Sequence, residues 1–335
     1  MIKKDTNFEY TKPTLKEEIK RNRIQLSMVF VFFLVWAIYL IGNPAVFTQF
    51  QIYRAFLTAI PILGIMALAA TFIVTLGEID LSFPSVMAFC AWVFSILVTS
   101  GVNIWIAALA SLISGGLLGA FNAFLIMKIG IPAIVATIST QFLFRGLVNV
   151  AAGGTGLSLI GYEGTLFAQI TVGNIFGNRI PMQAVWFLIL AIICWFLFNR
   201  HVYGSHVSFI GDNRASAKMM GINVTMVRTI AFVMMGVFAA FAGILSNMEV
   251  RFFWPNQGDG TLMPVLAAVF VGGTAVSGGK GTILGTILGV FIIGSLETGI
   301  IALGLSGFWV MLIYGAVIIV CISIYSFLSG KRSTD

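Results

Sequence analysis

From residue 26 onward the chain alternates long apolar runs with short polar interruptions. The runs lie at about 26–43, 55–76, 84–99, 103–126, 131–151, 181–198, 228–248, 263–278, 282–303 and 308–328. A helix needs about 20 apolar residues to cross a bilayer core, so each run predicts a transmembrane helix, with the third and eighth short. The expected fold class is all-α, a polytopic membrane protein of about ten helices, because helices satisfy their own backbone polar groups in lipid. The expected organisation is a tail at 1–25, a single transmembrane domain at 26–328 and a short tail at 329–335. Two longer connections interrupt the domain, at 152–180 and 199–227.

Composition agrees with the pattern: 59% of the 335 residues are hydrophobic, 9% are charged, and the mean hydropathy is +1.02. No polar stretch is long enough to bury a core of its own. Cys90, Cys194 and Cys321 fall in separate apolar runs and read as small buried hydrophobes. The N-terminal stretch MIKKDTNFEYTKPTLKEEIKRNR is too long and too mixed in charge for a cleaved signal peptide and reads as a cytosolic tail.

Charge orients the spans. With ten crossings both termini share one side, and fifteen of the nineteen Lys and Arg fall there: the tail's seven, Lys128, Arg200, Arg214, Lys218, Arg228, Lys280, Lys331 and Arg332. Arg54, Arg145, Arg179 and Arg251 fall elsewhere. The positive-inside bias therefore puts both termini in the cytoplasm, the 152–180 loop outside and the 199–227 loop inside. It also accounts for the net charge of +7 without a nucleic-acid partner.

Within the cytoplasmic loop, Gly211, Asp212 and Asn213 form a turn. Asp212 or Asn213 can cap a short helix over Ala215, Ala217, Lys218 and Met220, and Gly221 can stop it. Two helical turns are too weak to persist alone in water, so this segment is either a plain connection or a docking element that needs a partner. Gly115 and Gly119 form one GxxxG, and Gly281, Gly285 and Gly289 a double one, spacings that let helices approach closely in lipid. The stretch GGTAVSGGKGT fails as a phosphate-binding loop. Thr274 stands where its first glycine belongs, and Gly281 follows Lys280 where Ser or Thr is required.

Ionisable residues inside an apolar chain are the informative ones, because each costs free energy and persists for pairing, a pathway or a relay. Glu78 and Asp80 lie in TLGEIDLSFPS, among Gly77, Ser82 and Pro84. Asp80 or Ser82 can cap the third span, with Pro84 at or near its first position. Alternatively, the segment is a helix break whose backbone and carboxylates line an aqueous cavity. Asn122 is a further mid-span polar residue, and Thr137, Gln141 and Arg145 form a stripe at four-residue spacing, with Ser139 and Thr140 beside it. Ser139 and Thr140 can also bond local helix carbonyls. His201 and His206 have no partners spaced for metal binding or nucleophilic catalysis. We therefore expect no catalytic and no metal site, and passage of a neutral polar solute rather than proton pumping. The residues alone leave the energy source open, including an ion-coupled secondary transporter or channel acting without ATPase subunits.

Four segments carry a more specific resemblance, which extends from about residue 55 to 328. GEIDLSFPS, NAFLIMKIGIPAIVATISTQFLFRG, IGDNRASAKMMGINV and VFVGGTAVSGGKGTILGTILG, in this order, resemble the permease subunits of bacterial ATP-binding-cassette importers for ribose, xylose and galactose. The resemblance implies a multi-pass permease of the bacterial cytoplasmic (inner) membrane that moves a sugar or related small polar solute. It implies a homodimer or heterodimer with a second permease, a separate ATPase subunit of the two-cassette kind, and an extracytoplasmic solute-binding protein. ATP and Mg would sit on the ATPase, so this chain binds no cofactor. The 212–221 helix becomes the segment that couples to the ATPase, and the polar residues of the break and stripe become the path. Glu78 departs from the family's Gly, Arg214 and Ala215 from two acidic residues, and Ser139 and Gln141 from Gly and Met.

Overall fold

A computed structural model describes residues 23–329, so both expected tails fall almost wholly outside the described residues. Helix α1 spans Arg23–Gly42, the one-turn α2 Pro44–Phe47, α3 Phe50–Thr75, α4 Phe83–Thr99, and α5 Ile104–Phe124, which continues as a π turn at Leu125–Ile129. Then come α6 at Ala133–Ala152, α7 at Leu166–Val172, α8 at Met182–Asn199, α9 at Val202–Asp212 and α10 at Arg214–Met219. The chain finishes with α11 at Val224–Val250, α12 at Leu262–Val271, α13 at Ile283–Ala302 and α14 at Phe308–Ser329. Among the described residues, six helices, α3, α5 with its π turn, α6, α8, α11 and α13, are long and apolar enough to cross a membrane.

Helix α3 occupies the centre. From Gly64 to Leu76 every residue is buried, so it is apolar all round rather than amphipathic. It packs against α8, α11, α12 and α13. Helix α11 crosses α5 at small residues: a Cβ on Gly115 would strike the Gly236 carbonyl, and one on Gly119 the Phe232 carbonyl. Without side chains at these points the two backbones approach directly, and van der Waals contact replaces the hydrophobic drive that lipid does not supply. Gly285 and Gly289 of α13 meet the Gly272 and Ala268 carbonyls of α12 in the same way.

Three expectations need correction. The eighth apolar run, 263–278, is helical only to Val271, because Gly272 and Gly273, the latter at φ +81°, end the helix and 274–281 forms a loop. Gly281 is therefore not part of a helical GxxxG repeat: Thr282 caps α13, its Oγ1 accepting from the Gly285 amide at 3.3 Å, and Gly281 precedes that cap against the Thr75 side chain. The fold is also not purely helical, since two ladders of two-residue strands tie the loops. β1 (Leu157–Ser158) pairs antiparallel with β4 (Phe252–Phe253), and β2 (Asn174–Ile175) with β3 (Ile180–Pro181). Backbone leaving a helix still needs hydrogen-bond partners, and these short pairings supply them.

The crossing of α5 and α11 gives a direct test. Gly119→Val should lower the thermal stability of the purified protein by the equivalent of about 1–3 kcal/mol, the usual cost of overpacking. Gly146→Ala, on α6 where a Cβ meets open space, should leave the melting temperature unchanged or raise it, as expected for a helical glycine.

Candidate functional site

Two breaks in the helical pattern face each other. Helix α3 ends in a glycine closure: the Gly77 amide donates to Val74 O at 2.9 Å, the Glu78 amide to Ile73 O at 3.1 Å, and Gly77 sits at φ +75°. These 5→2 and 6→1 bonds form a Schellman motif, which stops a helix and turns the chain away from its axis. Residues 78–82 then run without helix to α4. Ser82 is the N-cap residue, its carbonyl accepting from the Ser85 and Val86 amides, and Pro84 lies in the first turn.

Asp80 and Ser82 organise the break. One carboxylate oxygen of Asp80 accepts from the Ser82 amide at 2.7 Å and from Ser82 Oγ at 2.6 Å. Ser82 Oγ in turn accepts from Asn122 Nδ2 of α5 at 2.7 Å. All three side chains are buried. Ser82 caps through its backbone, and its hydroxyl belongs to this network. Asn122 Oδ1 and Ser85 Oγ are buried without a partner among the described residues. Helix α6 closes the other side, where Thr137 Oγ1 donates to Ala133 O at 2.8 Å and lies 3.4 Å from Ile79 O.

Glu78 points the other way. Its Oε1 accepts from Arg214 Nη2 of α10 at 2.7 Å and from Arg228 Nη2 of α11. Glu78 is 6% exposed and Arg228 9%, whereas half of the Arg214 side chain is exposed. A cleft of about 300 Å³ opens beside this cluster, lined by Gly77, Glu78, Gly130, Pro132, Arg214 and Arg228. Sequence reasoning placed Glu78 with the polar path residues and Arg228 among the loop charges; the two meet in one ion pair. The available signal was sign: Glu78 and Arg214 depart from the family pattern with opposite charge.

The second break follows α11. Arg145 Nη1 of α6 donates to Pro255 O at 2.7 Å and Gln257 O at 2.9 Å, Nη2 pairs with Asp259 at 2.7 Å, and the Pro84 carbonyl lies 3.5 Å away. Gly258, at φ +82°, rests against that Pro84 carbonyl. Arg145 thus joins the start of α4 to the loop that leads into α12, whose ten residues span about 15 Å, half of a bilayer core. Sequence reasoning singled out Arg145 but not Asp259 or the carbonyls it holds. Thr140 is buried beside this face, its hydroxyl on the Thr137 carbonyl at 3.3 Å, while Gln141 is half-buried and Ser139 exposed.

The residues of the 199–227 connection assemble at the end of α3. Gly211 and Asp212, expected in a turn, instead end helix α9, and Asn213 alone links it to α10, which it caps with its Oδ1 accepting from the Ser216 amide at 2.9 Å; Gly221 follows α10 at φ +80°. A Cβ on Gly211 would collide with the Thr75 carbonyl, and that same carbonyl accepts from the Gly279 amide at 2.8 Å. Asp212 lies against Gly279. Ala217 is fully buried, while Met219 is 81% exposed and Met220 60%.

A long-helix membrane bundle with two broken helices and carboxylates paired at the breaks belongs to the transport class of proteins. The family described as "Branched-chain amino acid transport system / permease component" matches residues 52–322, and the chain belongs to that family. The relatives found include the ribose import permease of Bacillus subtilis, 32% identical over 87% of this chain and 89% of that one. The ribose import permease of Escherichia coli K12 is 31% identical over 77% of this chain and 80% of its own. An autoinducer 2 import permease from an Enterobacter species is 33% identical over 89% and 85%. No solved structure matches the chain. The chain is a multi-pass permease subunit of an ATP-binding-cassette importer of the inner membrane.

Removal of the Arg145 guanidinium should release the loop it holds. Arg145→Ala is expected to speed amide hydrogen exchange at 254–261 by about tenfold to a hundredfold, the equivalent of about 1.5–3 kcal/mol for one charged hydrogen bond. Exchange in α5 should be unaffected.

Proposed function

We propose that this chain forms the translocation path for a sugar or related small polar solute, driven by ATP hydrolysis on separate subunits. The observation that carries the coupling half of this reading is α10. It is a six-residue helix, capped by Asn213, with Ala217 buried inward and Met219 and Met220 held outward. Exposed methionines on a short, firmly seated helix suit insertion into an apolar groove, and the flexible thioether tolerates an imperfect fit. Gly211, Asp212, Asn213, Ala215, Ala217, Lys218 and Gly221 are the residues of this coupling element, and the partner is an ATPase of the two-cassette kind.

For the path, Asp80, Ser82, Asn122, Thr137, Thr140, Gln141 and Arg145 supply the polar groups, with the unpartnered Asn122 Oδ1 next to Asp80 in the network. A solute rich in hydroxyls can both donate to and accept from such groups. The sugar assignment draws on the relatives: two are ribose import permeases and one is an autoinducer 2 import permease. The topology proposed is ten passages with both termini cytoplasmic: the six helices named above, α1, α4 and α14, and an eighth passage of which helix α12 covers about half. Pairing with a second permease and docking of an external solute-binding protein complete the assembly.

Met219→Asp should abolish co-purification with the ATPase subunits, or weaken it by about tenfold or more as for a central interface residue, at an unchanged melting temperature. Undiminished association would refute α10 as the contact. Asp80→Asn should reduce ribose uptake by vesicles carrying the whole importer more than it reduces the amount of permease in them. Equal losses would make Asp80 a purely structural cap.

A further inference from the structure

Glu78 stands between two structural units. On one side is the break, where only Ile79 separates it from Asp80. On the other are α10, whose end is closed by the Ile222 amide on Ala217 O and the Gly221 amide on Lys218 O, both at 3.1 Å, and the first turns of α11, which begins only two residues later at Val224. Both arginines that hold Glu78 come from this unit, Arg214 from the first residue of α10 and Arg228 from the second turn of α11.

We infer that Glu78 is a positioning residue whose carboxylate ties α10 to the 76–82 break, so that a displacement of α10 is carried to Asp80 and Ser82. This rests on the reading of α10 as the ATPase-contacting helix.

Three features support the link. First, the Glu78 carboxylate is buried at 6% exposure, although Arg214 is half exposed. A buried carboxylate that lost both cations would be stranded, so it keeps its partners when either side moves. Second, the connecting chain is taut. Consecutive Cα atoms are about 3.8 Å apart and only Ile79 intervenes, so a shift at Glu78 reaches Asp80 across two virtual bonds. Third, the neighbouring backbone leaves little slack. Gly211 lies directly on the Thr75 carbonyl, and Gly279 donates to it, which fixes the end of α9 to the end of α3.

The test uses the permease purified with its ATPase subunits in lipid nanodiscs, with amide exchange measured with and without a non-hydrolysable ATP analogue. In the wild type the analogue should change exchange both at 214–219 and at 76–82. Arg214→Gln removes one strand of the link but leaves the Glu78–Arg228 pair to neutralise the buried charge. It should keep the change at 214–219 and reduce the change at 76–82 several-fold. Glu78→Gln should abolish the latter, and Arg214→Lys should restore it. If both Gln variants show a wild-type change at 76–82, the inference is wrong while the ATPase reading of α10 stands. If the wild type shows no change at 214–219, the ATPase reading fails and the inference falls with it.

Discussion

Non-helical backbone buried among membrane helices persists only where protein groups meet its polar atoms, since lipid offers no hydrogen bonds. This constraint governs the centre of the molecule. The 76–82 segment is held by its own carboxylate, by Asn122 and by a junction at which the end of α3, Gly211 and the 277–279 loop meet backbone to backbone. The Thr75 carbonyl, left without a helical partner, takes the Gly279 amide. Glycine is required at Gly211 because a side chain would occupy the space of that carbonyl.

The same constraint explains the charges. Buried ions are tolerated when each has a partner, and the described ion pairs at the breaks join elements far apart in sequence. Glu78 joins the first break to α10 and α11, and Arg145 joins the start of α4 to the loop before α12. Helices α4 and α12 are thereby fixed at their N-terminal ends, where the first amides have no helical acceptors and caps or neighbouring groups are most needed. The breaks are supported structure, with polar atoms concentrated where a polar solute would have to pass.

Packing and polarity are divided by position. Close backbone crossings at Gly115, Gly119 and Gly236, and at Gly272, Gly285 and Gly289, hold the long helices together without polar groups. The polar groups gather at the breaks and at isolated bonds between helices, such as Thr71 to Thr286 at 2.7 Å and Asn247 to Ser95 at 2.8 Å.

Apolar run length, which the bilayer thickness sets, determined the membrane class and most helix positions from sequence alone, and local chemistry narrowed the α10 cap to Asp212 or Asn213 and marked the Gly77 break and the Gly221 stop. These are short-range effects, readable within a few residues. The end of α12 at Val271 and the place of Gly281 before a cap were less legible, because an apolar, glycine-rich run has the same composition as helix or loop. Partnership was decided by tertiary structure alone. Glu78 lies 136 residues from Arg214 and 150 from Arg228, and Arg145 lies 110 and 112 residues from the Pro255 and Gln257 carbonyls it holds. Coulomb attraction and hydrogen bonding depend on distance in space, and that distance exists only once α3, α6, α10 and α11 have packed.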